Sequence, residues 1–223
     1  MTLRAVKPPH ETRTRILDAA EELFMQHGFE GTSMRLLTAK AGVNLAAVNY
    51  HFGSKDALVE ALFRRRLDPM NAARTAELDK LEASERSPSP EAIIRAFISP
   101  GLRLLEDSRG GGRNFVRLLG RTYSEPNKDV RQLIGQMYAP AMQRYKTALE
   151  RALPHMPREE LIWRMHFMFG TLAYTLAATD TVQLIAGCKP EDRYDARLLE
   201  ERLTAFLTAG LDAPLKNVIR KAA

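Results

Sequence analysis

The chain reads as an all-α protein, with an N-terminal three-helix helix-turn-helix domain followed by a larger helical domain. Three observations predict this. Apolar residues recur at helical spacing along most of the length, and no stretch alternates convincingly like a strand. Helix stop and start signals follow one another closely between residues 28 and 55. The chain, at 223 residues and 45% hydrophobic, is long enough to bury a sizeable core.

Taken in order, residues 1–10 read as a disordered basic arm. From about Glu11 the chain turns helical: Ile16, Ala19, Ala20, Leu23 and Phe24 form one apolar face. Gly28, Gly42 and Gly53 each sit where a helix stops, because glycine tolerates the backbone that closes a helix C-terminus. Thr32 or Ser33, then Asn44, then Ser54, sit where the next helix starts, with oxygens able to accept first-turn N–H bonds. Leu37, Ala41, Val43, Val48 and Phe52 supply the partners for the first face. This domain is expected to occupy residues 1–55, and a second domain residues 56–223.

Ser54 opens a longer helix with Leu58, Ala61, Leu62 and Leu67 on one stripe and Arg64, Arg65 and Arg66 on the other side. Asp68-Pro69 is expected to kink or interrupt it. Ser89 and Pro90 restart a helix through Ile93, Ile94 and Phe97, which Pro100-Gly101 can break. Residues 107–112, glycine-rich, read as flexible linkage. A short helix over 115–123, a long one over 127–153 containing Pro140, another from Pro157 to about Ala186, and a last one over 195–210 complete the reading. The tail after Pro214 is basic and frayed.

Composition narrows the function. One cysteine, Cys188, excludes an internal disulfide and fits a reducing cytoplasm. No zinc spacing exists, and no metal or cofactor is expected. The N-terminus lacks an apolar run long enough for a signal peptide. The longest apolar zone, 167–178, is too short for a membrane span and carries Gly170, Thr171 and Thr175. No serine or cysteine sits in a nucleophile-elbow context, so an enzyme is not expected. The net charge of +6 fits a nucleic-acid partner without demanding one. Only half of that excess lies before residue 67, so the DNA argument rests on the motif.

Its second helix, residues 45–52, is the candidate reader of a major groove. Val48 and Phe52 face inward. Leu45, Ala46, Ala47 and Asn49 then face outward, with Tyr50 and His51 toward the helix end. A small neutral face suits base edges: Ala and Leu touch thymine methyls, and Asn49 pairs with adenine. Tyr50, His51 and Lys55 can hold phosphates, Lys55 at the positive end of the next helix. The structural alternative is that Asn49 caps locally and Tyr50 is packing.

Gly42-Val-Asn-Leu-Ala-Ala-Val-Asn-Tyr-His-Phe-Gly-Ser-Lys-Asp-Ala-Leu58 resembles the signature of the TetR family of bacterial transcriptional regulators. Ile16-Leu-Asp-Ala-Ala-Glu-Glu-Leu-Phe24 and Gly28-Phe-Glu-Gly-Thr-Ser33 resemble that family's first helix and the entry to its second. The resemblance implies phosphate contacts by Tyr50, His51, Lys55 and Thr32 or Ser33, and base reading by Arg35. Asn44, Ala46 and Asn49 depart from the family's frequent Ser, Gly and Tyr. Asn44 keeps the capping role, while the other two alter the reading face. Leu118-Leu-Gly-Arg121 and Trp163-Arg-Met-His-Phe-Met-Phe-Gly170 resemble the family's fatty-acid-responsive branch, known from pseudomonads. Membership implies a homodimer joined through the last two long helices, a small-molecule effector cavity among the middle helices, and repression from a double-stranded DNA operator relieved by that effector.

The residues offer candidates for both. Leu161, Met165, Met168, Leu172 and Leu176 form one stripe, and Leu199, Leu203, Phe206 and Leu207 a second; two such helices per subunit would make a four-helix interface. Intrachain core is the other reading of the same stripes. Phe115, Tyr138, Met142, Tyr145, Trp163, Phe167 and Phe169 are the candidate cavity lining, with Arg121 and His166 able to meet a carboxylate or phosphate. Ordinary core is again the alternative. A helical DNA-binding or protein-interaction module with no effector is the competing function.

Overall fold

The computed structural model describes residues 9–107, 111–122, 127–176 and 195–215. The basic arm before residue 9, the helix end expected near Ala186, Cys188 and the tail beyond 215 lie outside these residues. Among the described residues there are nine helices and no strand.

The first four helices are α1 (Pro9–Gly31), α2 (Met34–Ala41), α3 (Leu45–Phe52) and α4 (Lys55–Ser84). Then follow α5 (Pro90–Glu106), α6 (Gly112–Thr122), α7 (Lys128–Ala152), α8 (Arg158–Leu176) and α9 (Ala196–Asp212). Side-chain oxygens start them as the sequence suggests: Ser33 accepts from Leu36 N, Asn44 from Ala47 N and Ser54 from Ala57 N. Ser89, Asn127 and Asp195 do the same for α5, α7 and α9. Thr32 is not the cap. It is buried, and its hydroxyl donates to Gly28 O at 2.9 Å, holding the bend where α1 departs from helical geometry.

α4 runs unbroken through Pro69, and α5 through Pro100, against expectation. Pro69 and Pro140 lie on exposed faces, where the carbonyl each leaves without an N–H partner can be hydrated. Packing of α4 on both α5 and α7 holds the helices together through these positions. Of the expected linkage over 107–112, residues 108–110 lie outside the described residues, and Gly111 and Gly112 are closely packed. Gly111 has φ +81, and a Cβ there would stand 2.7 Å from Glu21 Oε1; a Cβ at Gly112 would stand 2.2 Å from Leu104 O. Their lack of side chain lets the α5–α6 corner close onto α1.

Two cores organise the molecule. The first gathers Ile16, Phe24, Leu37, Val48 and Phe52 with Leu58, Leu62, Phe63 and Leu67 of α4, and continues into Phe115, Leu118 and Ile134. The helix-turn-helix is therefore seated directly on α4, α6 and α7, and its core does not end near Ser54. The second gathers Ile93, Ile94, Phe97 and Leu102 of α5 with Tyr145, Leu149, Leu161, Met165, Leu203 and Leu207. No described helix is long and apolar enough to cross a membrane.

Candidate nucleic-acid interface and effector cavity

The turn between α2 and α3 is built from local chemistry. Gly42 takes φ 62 and ψ 40, the left-handed conformation, and its N–H donates to Ala39 O while Val43 N–H donates to Thr38 O at 3.0 Å. Arg15 of α1 donates through Nη2 to Ala41 O and to Gly42 O, the latter at 2.8 Å, so a cation covers the negative end of α2. Asn44 Oδ1 accepts from Ala47 N at 2.8 Å and starts α3. Its amide is thereby committed to the cap.

α3 is anchored by Val48 and Phe52, 1% and 9% exposed. Its opposite side is open: Leu45 and Tyr50 are 51% and 82% exposed, and Ala46 and Asn49 are exposed too. Ala47 and His51 are half-buried, and the Tyr50 and His51 rings meet edge-on at 5.1 Å. Ser33 and Arg35 are exposed at the start of α2, and Lys55 stands at the start of α4. These residues lie on α2, α3 and the start of α4, where α3 packs against both neighbours. Thr32 offers no side chain there, since burial and its two carbonyl bonds occupy it.

A cavity of about 300 Å³ lies among α4, α5, α6, α7 and α8. Tyr138, Met142 and Phe169 line it as expected, joined by Leu119, Ile134 and Ala173. Other expected lining residues are elsewhere. Phe115 is fully buried in the first core, edge-on to Phe63 at 5.8 Å. Tyr145 is buried beside the cavity, edge-on to Phe97 at 5.1 Å, with its hydroxyl donating to Arg74 O at 2.8 Å. Trp163 and Phe167 are 52% and 61% exposed, and His166 is exposed with them. The Arg121 side chain lies outside the described residues.

The stripes expected at a dimer interface are rotated inward. Leu161, Met165, Met168, Leu172 and Leu203 are buried in the second core. Leu199 is half-buried against that core, while Leu172 and Leu176 line the cavity. The outward face of α8 is instead Ile162, Trp163, His166, Phe167 and Tyr174, and Phe206 on α9 is 67% exposed. Of the expected interface residues, Phe206 alone is fully open.

Two further features escaped the sequence reading. Arg74 of α4 is 5% exposed and lines the cavity. It occupies the register Met70–Arg74–Leu78, where the residues four before and four after are core, and that spacing is the signal that could have found it. Glu21 of α1 is 3% exposed and receives Arg65 Nη2 at 2.5 Å and Arg66 Nη2 at 3.3 Å. Arg65 also reaches Asp18 at 2.6 Å and Arg66 reaches Asp107 at 3.4 Å. This network joins α1, α4 and the α5–α6 corner.

Residues 16–62 match the profile of bacterial regulatory proteins, tetR family, and residues 95–210 match the tetracyclin repressor-like C-terminal domain. The chain belongs to the TetR family. This TetR-family chain is 37% identical over 78 residues to the HTH-type transcriptional repressor AcnR of Corynebacterium glutamicum, covering 35% of this chain and 39% of AcnR. It is 33% identical over 98 residues to the HTH-type transcriptional regulator SrpR of Pseudomonas putida, covering 44% of this chain and 43% of SrpR. The chain thus spans less than half the length of either curated relative. Among solved structures, the transcriptional regulator FadR from Bacillus subtilis in complex with stearoyl-CoA superposes with a TM-score of 0.65 at 16% identity, covering 88% of this chain and 97% of FadR. The ketosteroid transcriptional regulator KstR2 of Mycobacterium tuberculosis gives 0.62 at 17%, covering 89% and 93%. At those identities the likeness carries the TetR fold and nothing finer.

Proposed function

We propose that this protein is a dimeric, ligand-responsive transcriptional repressor acting in the cytoplasm. The observation that carries this reading is the outward face of α3, where Leu45, Ala46, Asn49 and Tyr50 are open to solvent over a buried Val48–Phe52 anchor. A helix that exposes apolar and amide groups with no Lys or Glu among them is poorly matched to water and well matched to base edges in a major groove. Ser33, Arg35, Tyr50, His51 and Lys55 hold the flanking phosphates, and Asn49 reads a base.

One such helix reads too little sequence for useful specificity, so two copies act together on grooves roughly 34–36 Å apart. The exposed apolar side chains of α8, with Phe206 on α9, support a self-complementary four-helix interface. The cavity supports a small apolar or amphipathic effector. The resemblance of Leu118–Arg121 and Trp163–Gly170 to the fatty-acid-responsive branch points to the acyl class, as a fatty acid or an acyl-CoA. Effector binding favours a conformation in which α4 and the attached α3 no longer match the groove spacing; differential affinity for the two states is what drives release.

Footprinting on the chromosomal region upstream of the protein's own gene tests this. A palindromic protected site is expected, with binding that falls steeply with salt. Asn49→Ala should weaken specific binding by about 5- to 150-fold without lowering thermal stability, the range for losing one good base contact. Lys55→Ala should weaken binding on all sequences alike. Specific binding that survives both substitutions would show that the assigned face is wrong.

A further inference from the structure

We infer that the cavity is a receptor for a free carboxylate on a small apolar acid, and that Arg74 is the residue that takes the carboxylate. The inference rests on the regulator reading above for its biological sense, and on the following chemistry for its substance.

An arginine side chain is always charged, and burying a charge is costly unless it is paired. Arg74 is 5% exposed, yet its partners are neutral. Nε donates to Phe97 O at 2.9 Å and Nη1 donates to Asn71 Oδ1 at 3.2 Å. The guanidinium carbon lies 4.0 Å from the centre of the Phe97 ring and 5.3 Å from that of Tyr138. No carboxylate among the described residues lies within 4 Å of it, and Glu77, one turn along α4, is paired with Arg103 at 3.1 Å. Two of the five N–H groups are used, and Nη2 has no acceptor among the described residues.

That free nitrogen is accommodated on purpose. Gly101, in the middle of α5, faces it, and a Cβ there would stand 3.3 Å from Nη2. Both residues line the cavity. Beyond them the walls are Leu102, Leu119, Ile134, Met142, Phe169 and Leu172, and Arg131 is the one other charged residue among the described lining. Arg131, an exposed residue, and Gly135 stand at the α7 edge, where the cavity meets solvent. A planar fork with free donors at one end of an apolar chamber matches a carboxylate with a hydrocarbon body.

Volume separates the two acyl candidates. About 300 Å³ is room for roughly ten water volumes, hence a ligand of about ten to fifteen non-hydrogen atoms. A medium-chain or arylalkanoic acid fits whole, whereas a coenzyme A thioester would leave most of its bulk outside the cavity and carries no acyl carboxylate for Arg74 to pair with. A carboxylate held by the unused N–H groups pulls on the same guanidinium that Phe97 O and Asn71 hold from the other side. Asn71 Nδ2 donates to Met137 O at 2.9 Å and Tyr145 donates to Arg74 O, so the arginine sits where α4, α5 and α7 are tied together. Drawing it toward a ligand alters that tie.

The test is calorimetric titration of the full chain, without DNA, with decanoate, 1-decanol and decanoyl-CoA. Decanoate should bind about 30-fold or more tighter than decanol, with decanoyl-CoA no better than decanol. Arg74→Gln should abolish the preference for the acid and leave decanol unchanged. If that variant does not fold, Gly101→Ala, which crowds Nη2, should reduce the affinity for decanoate more than that for decanol. Equal binding of acid and alcohol by the natural chain, tighter binding of the thioester, or an acid preference that survives Arg74→Gln would each overturn the inference. A parallel gel shift keeps the two readings apart. Operator binding that ignores decanoate, with no calorimetric signal, sinks the carboxylate receptor and leaves the regulator. Calorimetric binding with no DNA binding under any condition sinks the regulator and leaves the receptor.

Discussion

Asn44 and Asn49 stand five residues apart, and their surroundings assign them different tasks. Asn44 spends its oxygen on Ala47 N, whereas Asn49 is exposed and makes no side-chain hydrogen bond among the described residues, as the proposed base contact requires. Gly42 shows how narrowly the turn between them and α2 is specified. Gly42→Ala would force a Cβ into φ +62 and to 3.1 Å from Arg15 Nη2. A loss of about 1–2 kcal/mol is expected in urea unfolding. Tyr145 is a residue-scale probe of the second core. Burial raises its phenol above the ordinary value of 10.0, so the folded state holds the proton after the unfolded chain has lost it. Its contribution is therefore complete below about pH 10 and is lost as pH rises further. Tyr145→Phe should cost about 1 kcal/mol at neutral pH through the lost bond to Arg74 O. Above pH 10 that deficit should shrink, measured as the difference between the two unfolding curves.

At the scale of the helix, starts and stops were legible and rotation was not. Ser33, Asn44, Ser54, Ser89, Asn127 and Asp195 announce helix beginnings because capping is local chemistry. α8 defeated the same approach. Leu161, Met165, Met168 and Leu172 make one apolar stripe and Ile162, Trp163, Phe167 and Tyr174 another, so the helix is apolar nearly all round. Periodicity then cannot say which stripe is inside: the stripe expected to face outward is buried, and Trp163, His166 and Phe167, expected to line the cavity, are exposed. Arg74 was passed over because an arginine on a long helix ordinarily lies in solvent; only packing from α5 and α7 makes it interior. The prolines of α4 and α5 were overread because tertiary packing outweighs local helix preference. The two α8 stripes predict opposite outcomes. Trp163→Glu with Phe167→Glu should yield folded monomers in light scattering, whereas Met165→Glu should unfold the chain, since it buries an unpaired charge.

At the scale of the molecule, Glu21 links the helix-turn-helix unit to the rest. Glu21→Gln would leave Arg65 and Arg66 without their shared carboxylate; both arginines are partly open to water, which moderates the cost to roughly 1–3 kcal/mol. Urea unfolding should register that loss, and high salt should shrink it less than it shrinks the loss from breaking an exposed pair such as Lys40–Glu22. The long helix α4 has a consequence of another kind. Lys55 at its first turn and Arg74 nineteen residues later belong to one continuous spiral, about 28 Å from end to end. They are geared like two cams on a single shaft. Adding one residue between them would turn one cam against the other by about 100°. The count of residues separating them is thus as firmly fixed as the identity of any of them.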